Sequence, residues 1–190
     1  MNSLNARSLL GLAAQGNQSL QSLSGLYALA PSSWIAVRKR FDLFHRNLSL
    51  TALQQQDAKT KRAGVVGCLN RNYYGTSSTI DSSFVIGSWA KGTAVRPPRD
   101  IDLYFLPPIS VYRRFQDCIW NRQSALLQEL KNVISETYPD TDMRGDGQVV
   151  VVHFETCNVE VAPAFPLSNG RYLICNTHDG GSYKETVRAG

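Results

Sequence analysis

Ser83-Phe84-Val85-Ile86-Gly87-Ser88, followed after a short connection by Asp100-Ile101-Asp102-Leu103-Tyr104-Phe105, is the stretch whose reading decides the fold. Each part carries an apolar run suited to a core strand. The second also puts carboxylates on alternate residues. Side chains repeat every two residues along a strand, so Asp100 and Asp102 face the same way. Like charges that close repel, and neither is cheap to bury unpaired, so this face calls for a cation. The Gly87-Ser88 corner offers bare amides and a hydroxyl, which suit a phosphate. A phosphate beside two carboxylates implies Mg²⁺, with Mn²⁺ as its substitute, because such ions take carboxylate, water and phosphate oxygens. A lone Asp-x-Asp is usually the solvated face of an exposed strand, and short motifs carry false positives. Here Ile101, Leu103, Tyr104 and Phe105 make the strand apolar, so the joint pattern is far more specific than either part.

A third acid should come from a neighbouring strand with apolar residues on either side. Val159-Glu160-Val161 fits, since an acid between two valines of a strand is paired, metal-bound or on a solvated face. Glu155 is weaker, because it falls at the expected turn between strands, where a solvated acid needs no explanation.

These residues resemble a known family. GSWAKGTAVRPPRDIDLYF and the later VEVAPAF are similar to the nucleotidyltransferase core of the DNA polymerase β type. The closer likeness is to bacterial cyclic GMP–AMP synthase-like and oligoadenylate synthase-like nucleotidyltransferases, which make cyclic di- or trinucleotide signals in anti-phage defence. RGDGQVVVVHF and YLICNTHDGGSY are also similar to that group, and the likeness runs over residues 35 to 185. It implies an α+β fold, with a mixed, mostly antiparallel sheet backed by helices that include a long N-terminal spine helix. It also implies Mg²⁺-dependent joining of ribonucleoside triphosphates, ATP or GTP, into a cyclic or short oligonucleotide with release of pyrophosphate. Asp100, Asp102 and Glu160 would then be the catalytic metal ligands. The Gly87 amide and Ser88 hydroxyl would hold the terminal phosphates, with Lys91 and Thr93 extending that turn. Many members carry Asp where this chain has Glu160; Glu reaches one methylene further and can still bind a metal. Two other readings use the same core: nucleotide transfer onto RNA, a protein or a small molecule, and a nucleotide-binding module without effective turnover. Family members continue into a helical domain that closes the cleft. Residues 31–190 therefore read as a catalytic core short of that domain: a piece of a longer chain, which is the favoured reading, a natural minimal form, or a fragment that a protein partner completes.

Composition agrees. A chain of 190 residues suits one domain with a sizeable core. A net charge of +5 is compatible with nucleotide or nucleic-acid partners but requires neither. Cys68, Cys118, Cys157 and Cys175 lack CxxC spacing and read as buried free thiols of a reducing, cytoplasmic protein. No run approaches a membrane span.

The first thirty residues contain no acid and one charge, Arg7. Leu9 to Ala14 is too short, and too far from Ala28-Leu29-Ala30, for a secretory leader, so residues 1–30 read as a flexible arm. Pro31-Ser32-Ser33 signals a helix start; Trp34, Phe41, Phe44 and Leu48 supply an apolar stripe, and Leu48-Ser49-Leu50-Thr51 restarts the helix. Leu53, Val65, Val66 and Leu69 continue it at helical spacing towards Tyr73, with Lys59, Lys61 and Arg62 as its solvated face or a phosphate contact. Arg96 and Arg99 either neutralise the acids, touch a phosphate or form a surface pair. Residues 115 to 137 read as one helix, Val149 to Phe154 and Val159 to Ala164 as a hairpin, and Tyr172 to Cys175 as a further strand. His153 reads as structural, His45 and His178 as surface residues.

Overall fold

A computed structural model describes residues 32–187; the arm expected over residues 1–30 and the helix-start proline lie outside the described residues. The chain divides after Leu48. Before that point stands α1, Ser32–Leu48, with His45 and Arg46 in its last turn, where cations suit the carbonyl end. Its apolar stripe is exposed: Trp34, Phe41 and Phe44 keep 58%, 67% and 60% of their surface.

After the division, α2 spans Ala52–Tyr74. It is a true restart. The Thr51 hydroxyl accepts the Gln54 amide at 3.2 Å, and the Gln54 side chain accepts the Thr51 amide at 3.0 Å. This reciprocal pair satisfies donors that no helix can satisfy internally, so a new helix begins here. Ser49 meanwhile bridges to Val95 in strand fashion. Ala58, Val65, Val66 and Leu69 are buried, whereas Leu53 on the expected stripe is 83% exposed.

The strands are β1 Ser83–Val85, β2 Asp100–Phe105, β3 Met143–Asp146, β4 Val149–His153, β5 Asn158–Pro166, β6 Tyr172–Asn176 and β7 Ser182–Thr186. They form one sheet in the order β1-β2-β5-β4-β3, with β6 beside the second part of β5 and β7 beyond β6. The β2–β5 pair is parallel and every other pair antiparallel. The fold is thus the expected α+β arrangement, a mixed and mostly antiparallel sheet backed by helices.

Alternation along β2 separates two environments. Ile101, Leu103 and Phe105 are buried in the large core with α2 and two later helices, α4 Ile109–Gln116 and α5 Arg122–Thr137. Each such side chain contributes roughly 1.5–3 kcal/mol on burial. Asp100, Asp102 and Tyr104 take the opposite face, where Tyr104, Ala162, Ala164 and Ile174 form a smaller cluster. A short helix, α3 Gly87–Ala90, follows β1.

The single helix expected over 115 to 137 is two. Between α4 and α5 the chain exposes Ile119 and Trp120 at 90% and 87%, against the helical pattern that included Ile119. Asn121 explains the break: its side chain accepts the Ser124 amide at 2.9 Å and donates to the Thr177 carbonyl at 2.8 Å. An Asn so placed caps a new helix more favourably than it continues an old one. Strands β3 and β7 had no counterpart in the sequence reading, because Met-Arg-Gly-Asp and Ser-Tyr-Lys-Glu-Thr carry no clear apolar alternation. Cys68, Cys157 and Cys175 are buried free thiols, while Cys118 is only half-buried. Burial pushes the Cys175 thiol up to about 12. Among the described residues, no helix is long and apolar enough to cross a membrane.

Candidate active site

The acids meet because β2 and β5 run parallel in one register. Asp100 lies opposite Asn158, and Asp102 opposite Glu160. Residues paired across strands project to one face, so all three carboxyl-bearing positions share the face turned away from the large core. Asp100, Asp102 and Glu160 are half-buried; Asp102 and Glu160 each stand between buried neighbours, whereas Asp100 follows the exposed Arg99.

The Gly-Ser corner is locked against the same strand. The Ile86 amide donates to the Asp102 carbonyl at 2.9 Å, continuing the antiparallel β1–β2 ladder into the corner. Gly87 then turns the chain at φ +64, a left-handed conformation that L side chains resist. A methyl at Gly87 would also collide with the Asp102 carboxylate. Glycine is therefore required twice here, by conformation and by contact. The first amides of α3 have no partner within the helix, which leaves them suited to an anion. The indole of Trp89 donates to the Asp100 carbonyl at 2.9 Å and ties α3 to the start of β2.

A cleft of about 370 Å³ opens at this corner, with Ser88, Trp89, Thr93, Arg96, Asp100 and Asp102 among its walls. The Thr93 amide donates to the Ser88 carbonyl at 2.9 Å, which folds the connection back over the corner. Lys91 is exposed and is not one of the cleft's walls. Glu160 does not line the cleft either; it joins the acids through register. Arg96 and Arg99 both border the cleft beside Asp100, which favours a cleft role over a remote surface pair.

The carboxyls feel one another. Burial, then the charge of Asp100, holds the Asp102 carboxyl above the ordinary range. Burial also raises Glu160, with Asp100, Asp102 and Asp146 adding to the shift and Arg144 opposing it. Clustered carboxylates raised by burial and then by one another's charge form an all-oxygen donor set, which fits a hard divalent cation. Among the described residues, no three ligating side chains are gathered closely enough to hold an ion as they stand.

Comparison with known proteins identifies the chain. Residues 35–188 match the family described as the Second Messenger Oligonucleotide or Dinucleotide Synthetase domain. The chain belongs to that family. No curated protein matches it. Among solved structures, the E. coli MS115-1 CdnC:HORMA-deltaN complex is similar at 20% identity and a TM-score of 0.50, over 76% of this chain and 44% of that one. That likeness concerns the fold. E. coli MS115-1 CdnC with ATP is 21% identical over 75% of this chain and 45% of that one, with a TM-score of 0.47. The Bradyrhizobium diazoefficiens CD-NTase CdnG in complex with GTP is 15% identical over 75% of this chain and 41% of that one, with a TM-score of 0.48. The chain thus spans less than half the length of these proteins.

Within this synthetase-family core, sequence reasoning missed three residues around the acids. Trp89 packs against the large core and anchors the corner to the backbone of β2. Asn158 donates from its side-chain amide to Asp100 Oδ1 at 2.9 Å. Arg144 reaches the face through the row Asp102, Glu160, Val151, Arg144, set by three successive strand pairings. Only Asn158 had a usable signal: a polar residue two positions before Glu160 must share its face. His153 is half-buried on β4 and His178 exposed, as read.

Proposed function

We propose that this chain carries the catalytic core of a nucleotidyltransferase that joins ribonucleoside triphosphates, ATP or GTP, into a cyclic di- or trinucleotide or short oligonucleotide messenger. The observation that supports this best is the registered pair Asp102 and Glu160, with Asp100 on the same face and the Gly87-Ser88 corner against them. In this reading the Gly87 amide and Ser88 hydroxyl hold the terminal phosphates, and Thr93 and Lys91 extend that turn. Asp100, Asp102 and Glu160 would hold Mg²⁺, or Mn²⁺ in its place. Such ions would supply charge neutralisation at the phosphates and a lowered pKa for the acceptor hydroxyl. The chain's own residues orient the α-phosphorus. The acceptor oxygen bonds to it as the bond to pyrophosphate breaks, and the acceptor's proton leaves to solvent.

The length of the E. coli MS115-1 CdnC chain, of which this chain covers 44%, supports a further part of the reading, that base selection depends on additional protein beyond this core. Free thiols fit a cytoplasmic setting, and the family's messenger chemistry fits a role in anti-phage signalling. The test is incubation of the protein, at its natural full length, with labelled ribonucleoside triphosphates and Mg²⁺ or Mn²⁺. Phosphatase-resistant cyclic or oligomeric products are expected, and Asp100→Asn should abolish them. Label found on an added RNA, protein or small-molecule acceptor would redirect the reading to group transfer. Near-normal turnover in Asp100→Asn would overturn the site assignment.

A further inference from the structure

Asp100, Asn158 and His153 form one row across three strands. Asn158 is paired with Asp100 in the parallel β2–β5 ladder and with His153 in the antiparallel β4–β5 ladder. The Asn158 side-chain nitrogen donates to Asp100 Oδ1 at 2.9 Å, and its oxygen lies 3.1 Å from His153 Nδ1. These contacts have only one consistent polarity. A carboxylate accepts, so the amide nitrogen must face Asp100; the amide oxygen then faces His153, whose Nδ1–H donates to it. The backbones beneath are fastened as well. The Asn158 amide donates to the Arg99 carbonyl at 2.7 Å, and the His153 amide to the Asp142 carbonyl at 2.9 Å.

Strand preference does not account for Asn158. It opens β5 between the buried Cys157 and Val159, where asparagine is disfavoured and a β-branched residue would serve the strand better. We infer that Asn158 is a positioning residue that fixes the plane of the Asp100 carboxylate, and that His153 fixes the orientation of the Asn158 amide. Without the His153 donor, the amide is free to present its oxygen to Asp100, which repels rather than holds it. The inference rests on the proposed role of Asp100 as a metal ligand. Partners behind a ligand typically account for ~10–100-fold in metal affinity.

The experiment measures Mn²⁺ binding by electron paramagnetic resonance, with a non-hydrolysable ATP analogue present, in the full-length protein. Turnover against metal concentration is followed in parallel. Asn158→Ala should weaken Mn²⁺ binding by about 10–100-fold and raise the metal concentration for half-maximal turnover, with kcat largely recovered at saturating metal. His153→Phe should shift binding in the same direction by less, and His153→Gln, which keeps a donor, should stay near wild type. In the metal-free protein, the Asn158 side-chain amide ¹⁵N resonance should move in Asp100→Asn and His153→Phe. Unchanged Mn²⁺ binding in Asn158→Ala overturns the inference, whatever happens to the melting temperature; wild-type binding in His153→Phe overturns the part given to His153. Asp100→Asn separates the two levels. If it leaves metal binding intact the site assignment itself fails; if it abolishes binding while Asn158→Ala leaves binding unchanged, only this inference fails.

Discussion

Gly87 and Gly92 offer a paired perturbation. Both adopt left-handed backbone, φ +64 and φ +67. Alanine at either position bears the same conformational strain, about 1–2 kcal/mol for an L residue in that region. In a domain of this size each kilocalorie lowers the melting temperature by about 2–4 °C, so both variants should melt about 2–8 °C below wild type. Their surroundings differ completely. A methyl at Gly92 meets nothing within 4 Å, whereas at Gly87 it runs into the Asp102 carboxylate, with Asp102 Cγ only 3.1 Å away. The corner cannot easily withdraw, because Ile86 is hydrogen-bonded to the Asp102 carbonyl. Turning an aspartate away is structurally cheap, but it removes a proposed ligand from its place. Gly87→Ala should therefore lose ~10–100-fold in metal-dependent turnover or Mn²⁺ affinity, while Gly92→Ala keeps nearly all of it. Thermal melting by circular dichroism, run beside Mn²⁺ titration, separates the strain from the contact. Equal functional losses in the two variants, or none in Gly87→Ala, would refute the reasoning.

Two other outcomes follow from the described geometry. Burial and neighbouring acids raise Asp102 and Glu160 in the folded protein, so the folded state holds protons that the unfolded chain has already lost. Stability contributed at these sites therefore falls as pH rises from the ordinary carboxylate range through the raised values. Asp102→Asn and Glu160→Gln should melt higher than wild type at about pH 7.5, with the gain fading towards about pH 4. A gain independent of pH would contradict the raised carboxyls. Thr51→Ala removes the acceptor that starts α2 and should cost about 0.5–2 kcal/mol, read from denaturant unfolding; no loss would mean that packing alone sets the helix start.

The chemistry-bearing segments were legible because their signals are local. Alternate acids on an apolar strand and a glycine-serine corner each depend on neighbours within a few residues. The valine-rich hairpin and the strand at Tyr172 were readable for the same reason. Local pattern also misled. Ile119 fitted a helical stripe, yet Asn121 caps a new helix by accepting the Ser124 amide, while its side-chain nitrogen is held by the Thr177 carbonyl, far along the chain. β3 and β7 escaped notice because their strand character comes from the partners they pair with, β4 and β6, and not from their own polar residues.

Sequence alone therefore determined that Asp100 and Asp102 share a face, that Gly87 and Ser88 turn the chain before them, and that Glu160 projects from a buried strand. A period of two and the conformational preferences of glycine are properties of short segments, and they hold before any strand finds its neighbour. Only the tertiary structure decided that β5 lies parallel to β2 in the register that sets Glu160 opposite Asp102. The same pairing brought Asn158 to Asp100, and the ladder beyond it brought Arg144 to the acid face. Register is a non-local choice, settled by burying Ile101, Leu103, Val159 and Val161 together, and a slip of one residue would turn β5's acid into the core.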